Sequence, residues 1–144
     1  MPVKVKKVTL WRKELENRAG TLSETLLPLA KSGADLQVVM GYCYPADRTR
    51  AAVELFPVAS KKQTSAAESA GLAPSRIPAV HVEGDNRSGL GHSITRALAD
   101  AGVNLDFLIA QVIGRKYSAV LGLESDGDAD KAVTLIKKVA GKKK

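Results

Sequence analysis

The sequence predicts an α+β chain built from one small module used twice, each copy an antiparallel sheet with helices on one face. Three observations carry this. The chain of 144 residues repeats itself. Each half shows the order strand, helix, hairpin, helix. The apolar content lies in Ala, Val, Leu and Ile, with only 4% aromatic residues, which suits thin side-chain layers between helices and a sheet. With 44% apolar and 26% charged residues the composition is that of a folded chain. Its length admits one ordinary domain or two modules of about seventy residues and excludes a large multi-domain enzyme.

The repeat is read directly. Glu14, Asn17, Arg18, Gly20, Leu29, Ala30, Gly33 and Leu36 recur 69 positions later as Glu83, Asn86, Arg87, Gly89, Leu98, Ala99, Gly102 and Leu105, 8 identities over the 29 positions from Val8 to Leu36. Beyond Leu36 the match continues with two residues dropped from the first hairpin, which sets Ala52 and Val53 on Ala119 and Val120. The expected division is residues 1–72 for the first module, 73–141 for the second and 142–144 for a disordered basic tail.

Each element has a local reason. Val8 to Leu15 and Ile77 to Glu83 are short β-rich runs. They end in the polar corners Glu16-Asn17-Arg18-Ala19-Gly20 and Asp85-Asn86-Arg87-Ser88-Gly89. Helices open there, with Leu22, Leu26, Leu29 and Gly33 at helical spacing in the first copy and Leu90, Ile94, Leu98 and Ala101 in the second. Thr21 and Glu24 stand as a capping box. Gly33 and Gly102 close the helices. The apolar strands Leu36 to Tyr44 and Leu105 to Ile113 follow. Pro45-Ala46-Asp47-Arg48 and Gly114-Arg115-Lys116 turn them into Ala51 to Phe56 and Ser118 to Glu124. The closing helices are Ser60 to Ala70, with an alanine face, and Asp128 to Ala140, with Val133, Ile136 and Val139 in phase.

Strand, helix, hairpin, helix is most of a split βαβ, or ferredoxin-like, unit. Such a unit ends in a fourth strand, and that strand is expected to be missing from each module: only Leu72 to Arg76 separate the first closing helix from the next copy, and the second runs into lysines. The opening strands are then left as edges that pair with each other or with another chain. The apolar phase switches between Val5 and Val8, so the strand is not expected to run regularly through Lys6-Lys7; Lys4, Lys6 and Lys7 guard that end of the edge.

The net charge is +7, of which Lys142, Lys143 and Lys144 contribute three, leaving +4 for the body. That excess keeps a protein soluble and does not define a partner. Cys43, the single cysteine, cannot form an internal disulfide and reads as a buried small hydrophobe. No signal peptide or long apolar run is present, and the expected setting is cytoplasmic and reducing, with no membrane. His81 and His92 fit no metal-ligand spacing, so no metal and no cofactor are expected. Gly89-Leu90-Gly91 lacks the third glycine of a dinucleotide loop, because Ile94 stands there. No catalytic constellation emerges.

The corners themselves carry chemistry. Helix-start amides bear partial positive charge and attract carboxylate or phosphate. Gly20 or Gly89 lets a small ligand approach them. A free amino acid needs donors for its carboxylate, which the amides and Arg87 supply, and acceptors for its ammonium, which Asn86, Asp85 or Asn104 supply. The plainer alternative stands beside this: a tight strand-to-helix turn with Asn capping and Arg solvated.

Glu-Asn-Arg-x-Gly-x-Leu at Glu16 to Leu22, followed by Gly33 and an apolar strand, resembles the ACT domain, a regulatory module that commonly binds amino acids. Gly-Asp-Asn-Arg-Ser-Gly at Gly84 to Gly89, with Gly102-Val103-Asn104-Leu105, is similar, and the two copies span nearly the whole chain. The resemblance implies modules associated side by side, with ligands at their interface held by the loop after the first strand and the start of the second. Carried over, those positions are Asn86, Arg87, Ser88, Gly89, Leu90 and Asn104, and in the first copy Asn17, Arg18, Ala19, Gly20, Thr21 and Asp35. The chain departs from some amino-acid-binding members in having Leu15 and Gly84 where they have histidine. Gly91 replaces the usual leucine, and Asp35 the Asn104-type residue. The second copy is therefore expected to be the better site, opened by Gly91 and uncharged at Asn104.

The function this implies is a non-enzymatic regulatory protein that binds an amino acid at loops between ACT-type modules, as a homodimer, and signals to a protein target. The alternative is a nucleic-acid-binding module using the sheet face, where Tyr42 and Tyr44 share one side of a strand, and the basic ends. A small phosphate-loop hydrolase of similar fold lacks its glycine-rich loop here.

Overall fold

The run Lys4-Val5-Lys6-Lys7-Val8 at the amino terminus forms a strand, and that strand decides the architecture. In the computed structural model, which describes residues 3–141, the chain forms two compact units. One runs from Thr9 to Arg76; the other runs from Ile77 onward and includes the residues up to Val8. The expected basic tail, 142–144, lies outside the described residues.

The first unit contains β2 (Trp11–Glu16), α1 (Thr21–Lys31), β3 (Val38–Tyr44), β4 (Asp47–Phe56), α2 (Lys61–Ser69) and β5 (Ala73–Pro74). Its antiparallel sheet has the order β3-β4-β2-β5. The other unit contains β6 (Ala79–Asp85), α3 (Leu90–Asp100), β7 (Leu105–Ile113), β8 (Lys116–Leu123) and α4 (Asp126–Ala140), joined by β1 (Lys4–Val8), in the order β1-β6-β8-β7. Both are complete ferredoxin-like modules, so the fold class is α+β as the sequence predicts.

The expected absence of fourth strands is corrected. In the first unit the two-residue β5 pairs with β2 at Trp11 and Arg12. In the second, β1 supplies the strand, Lys4 opposite Glu83 through Val8 opposite Ala79. The expected opening strand Val8 to Leu15 therefore splits at Thr9-Leu10, and residues 4–8 lie in the unit opposite to the one the repeat suggests. The expected pairing of the two opening strands with each other is not formed: β2 pairs with β4 and β5, and β6 pairs with β8 and with Lys4–Val8.

The strand also runs without a bulge through Lys6-Lys7, contrary to expectation. Val5 enters the core beneath α4. Lys7, two positions on and so on the same face, reaches past the core to Asp130 at 3.1 Å and Asp126 at 3.8 Å on α4. A lysine is tolerated on the helix face because it sits at the sheet edge with acidic partners and keeps its head in water.

Each unit has its own core between helices and sheet. Leu29 of α1 packs with Trp11, Val53, Leu55, Ala67 and Leu72. Leu90, Ile94 and Leu98 of α3 pack with Val80, Val82, Leu121, Leu123 and the Ala129, Ala132 and Ile136 face of α4. The α1 stripe differs from the one expected: Thr25 and Leu29 are buried, while Leu22 is exposed. Ala101 is the exposed C-cap of α3, and Val103 takes the core place instead. Gly33 and Gly102 end their helices as expected, at φ 79° and 72°, with the Ala34 amide donating to the Leu29 carbonyl and that of Val103 to Leu98.

The register corrects the repeat beyond the helices. Glu14 faces Ala52 and Glu83 faces Ser118, so the second hairpin is three residues shorter, not two. Setting Ala52 on Ala119 would match the face of β4 opposite to Val53 and Leu55 with the face of β8 that packs under the helices. A slip of one residue exchanges the two faces of a strand.

Candidate functional site

The two corners are built alike by backbone bonds. The Asn17 amide donates to the Thr49 carbonyl and the Asn86 amide to that of Arg115, which pins each loop to its hairpin. The Thr21 and Leu90 amides then turn back to the Arg18 and Arg87 carbonyls, and the Glu24 and Ser93 amides begin the helices by donating to Gly20 and Gly89. Both glycines are N-caps in the left-handed region, at φ 93° and 79°, which disfavours any residue with a side chain. Neither helix has a side-chain cap. By contrast, Ser60 and Ser125 cap α2 and α4 by accepting from the Gln63 and Asp128 amides. The next two amides of each first turn, Leu22 and Ser23 in α1 and Gly91 and His92 in α3, are thus left open at the positive end of the helix.

The expected capping box is not formed. The Thr21 hydroxyl donates to the Glu16 carbonyl at 3.0 Å and the Arg18 carbonyl at 3.1 Å, and Glu24 accepts from Arg18. Nor does Asn17 cap the helix: its amide nitrogen donates to the Arg48 carbonyl at 2.6 Å and to Cys43 Sγ at 3.3 Å. Cys43 is accordingly half-buried beside the corner, not a core residue.

The side chains around the two corners differ. In the first unit Arg18 is exposed and paired with Glu16 and Glu24, each at 3.2 Å. An open concavity of about 690 Å³ lies beside it, lined by Glu14, Glu16, Asn17, Arg18, Arg48 and Arg50 among others. In the second unit Arg87 turns inward, its Nη2 donating to the Val139 carbonyl at the end of α4, with Nε buried and without a partner among the described residues. Asp85 accepts from Lys116 at 2.6 Å, and that ammonium is the main cause holding its carboxyl down to about 2. Ser88 and Asn86 are exposed, and Leu90 is buried in the core.

Asn104 and Asp35 are not brought to the corners of their own units. The strands β2 and β3 both run antiparallel to β4, so the corner after β2 lies at the opposite end of the sheet from Asp35, which precedes β3. The same holds for Asn104 and the corner after β6. Asn104 donates instead to Glu124 at 2.8 Å. Tyr117 approaches Gly91: a Cβ there would lie 3.6 Å from the Tyr117 hydroxyl, so the space expected to be opened by Gly91 is shared with a phenol. Arg48, Arg50 and Tyr117 were not singled out in the sequence. The expected strands Ala51 to Phe56 and Ser118 to Glu124 began too late: β4 starts at Asp47 and β8 at Lys116, which puts all three on strands and not in turns.

Among the described residues no group of His, Cys, Asp and Glu could hold a metal ion. No described helix is long and apolar enough to cross a membrane. The sheet face bearing Tyr42 and Tyr44 is laced with carboxylates. The Tyr42 hydroxyl donates to Glu54 and the Tyr44 hydroxyl to Glu14, and Glu14 also pairs with Arg50.

No family model and no curated protein matches the chain. Solved structures do. Protein BT0572 from Bacteroides thetaiotaomicron is 19% identical with a TM-score of 0.75, covering 93% of this chain and 89% of its own. The regulatory subunit of aspartate kinase from Thermus thermophilus is 13% identical with a TM-score of 0.62, over 96% and 97%. A putative C-terminal regulatory domain of aspartate kinase from Porphyromonas gingivalis is 10% identical with a TM-score of 0.57, over 97% and 96%. These likenesses show the fold, which is ferredoxin-like in each of the two units.

Proposed function

We propose that this chain is a non-enzymatic regulatory protein that binds a small zwitterion, an amino acid, at its glycine corners. The observation that carries the reading is the matched pair of corners. Two loops 69 residues apart adopt the same left-handed glycine cap and the same backbone bonds, and leave helix-start amides uncapped where the other two helices are capped by serine. Open amides of this kind suit a carboxylate. Solved structures of similar fold include regulatory parts of aspartate kinases, which supports a regulatory role.

The reading includes a homodimer formed side by side. Each sheet has one guarded edge and one open edge. The strand β1 carries Lys4, Lys6 and Lys7, and β5 is two residues long and contains Pro74. The open edges, β3 and β7, are long and apolar, with Val39 and Tyr42 exposed on one and Leu108, Ile109, Val112 and Ile113 on the other, Ile113 by 68%. Natural edges left in this condition invite pairing. Antiparallel pairing at such an edge brings the start of a second strand, with Asn104 or Asp35, beside a corner of the neighbouring module, which a single module cannot do. A protein target and a cytoplasmic setting complete the reading. The nucleic-acid alternative finds less support, since the tyrosines it needs are held by Glu14 and Glu54.

The test is a thermal-shift panel of the twenty amino acids. A ligand at a hundred times its dissociation constant stabilises by about 2.7 kcal/mol. No response from any of them refutes the sensor reading, and salt-dependent retention on RNA would favour the alternative.

A further inference from the structure

We infer that Tyr117 is a ligand-contacting residue of the second module's corner, its hydroxyl donating to a carboxylate held by the open amides at the start of α3. This rests on the reading of the corner as a ligand site and adds to it a residue and a chemistry. Tyr117 lies on β8 opposite Gly84 of β6 and Val112 of β7, on the helix face of the sheet. Its counterpart in the first unit is Ala51, which lies opposite Leu15 and Cys43. The phenol is therefore a feature of the second module alone. It coincides with a second departure between the copies, Gly91 where the first has Leu22.

The two departures fit each other. With no side chain at Gly91, the ring passes under the first turn of α3, and its hydroxyl ends 3.6 Å from where a Cβ on Gly91 would be. Tyr117 is only 5% exposed, and its hydroxyl has no hydrogen-bond partner among the described residues. The hydroxyl itself keeps some access to solvent, so a ligand can reach it. The Gly91 and His92 amides lie in the first turn, where no intrahelical acceptor exists, and the helix has no side-chain cap. The phenol hydroxyl is thus placed beside the first turn, at the positive end of an eleven-residue helix. Burial pushes the Tyr117 hydroxyl above its ordinary value of 10, so it stays protonated and able to donate at neutral pH. A group that accepts from all of them and carries negative charge is a carboxylate. The first corner, with Leu22 and Ala51, has no such donor.

The test uses the full chain labelled with 3-fluorotyrosine. Three tyrosines give three fluorine resonances, and Tyr117→Phe assigns the one of interest. Each of the twenty amino acids, acetate and inorganic phosphate are titrated in turn. The expected result is a saturable shift of the Tyr117 resonance with an amino acid that raises the melting temperature. Tyr117→Phe should then weaken its dissociation constant about tenfold, as loss of a hydrogen bond to a charged group predicts, without moving the ligand-free melting temperature. Gly91→Ala, whose new methyl meets the hydroxyl in ordinary contact, should also weaken binding while folding normally. Saturable binding with an unmoved Tyr117 resonance and an unchanged constant in Tyr117→Phe overturns the inference. If Asn86→Ala abolishes that binding, the corner reading still stands. A shift with acetate and with no amino acid supports the carboxylate contact and refutes the amino-acid sensor. A shift with phosphate alone, or with nothing, overturns the assignment.

Discussion

Replacing Gly84 with alanine tests the docking of the amino-terminal strand at its tightest point. A Cβ at Gly84 would lie 2.7 Å from Val3 Cα and 3.0 Å from Val3 Cγ2. The nearer atom is backbone, so the clash cannot be relieved by a rotamer change and the start of the strand must move away from β6. Overpacking of this kind costs about 1–3 kcal/mol. The same substitution in a chain lacking residues 1–3 meets no obstacle and should cost no more than about 0.5 kcal/mol, because β1 begins only at Lys4 and its ladder to β6 survives. Urea unfolding followed by circular dichroism gives the four stabilities of the cycle, and amide exchange at Val80 and Val82 locates the effect. The expected coupling is roughly 1–2 kcal/mol. Equal costs of Gly84→Ala in the full and shortened chains would refute the strand placement, and with it the account of how the second module is completed.

Three further outcomes follow from named contacts. A Cβ at Gly122 would run into the Phe107 ring, so Gly122→Ala should cost about 1–3 kcal/mol, and Phe107→Leu should relieve much of it; strictly additive effects in thermal unfolding would contradict the packing. Ile109→Lys places a charge in the middle of the open β7 edge at a position 46% exposed. It should convert a dimer to a monomer by light scattering with little loss of monomer stability, and an unchanged mass would rule out that edge. Burial pushes the His81 imidazole below its ordinary value of 6.5, so the unfolded chain takes up the proton first. Stability is then full above about pH 6.5 and falls as the pH drops below it. His81→Phe should flatten that part of the urea-midpoint profile, and an identical slope in both proteins would dismiss the assignment.

Much of the chain was legible residue by residue. The glycines at 20, 33, 89 and 102 announced helix starts and ends because left-handed backbone excludes most other residues. Periodicity placed Leu90, Ile94 and Leu98 on the buried face of α3. It misled for α1, where Leu22 keeps the apolar spacing yet lies exposed and Thr25 is buried with its hydroxyl on the Thr21 carbonyl. Spacing reports which residues share a stripe, not which stripe the sheet covers.

The repeat in the sequence determined that there are two modules and where their corners lie, since these follow from local bonds within a few residues; that neither corner is capped by a side chain came from the structure. Tertiary structure alone decided that Lys4–Val8 completes the far module, that the hairpins differ by three residues, and that Tyr117 reaches Gly91. Strand partners and register depend on which faces meet across the sheet. That is a property of two distant segments together, and neither segment encodes it alone.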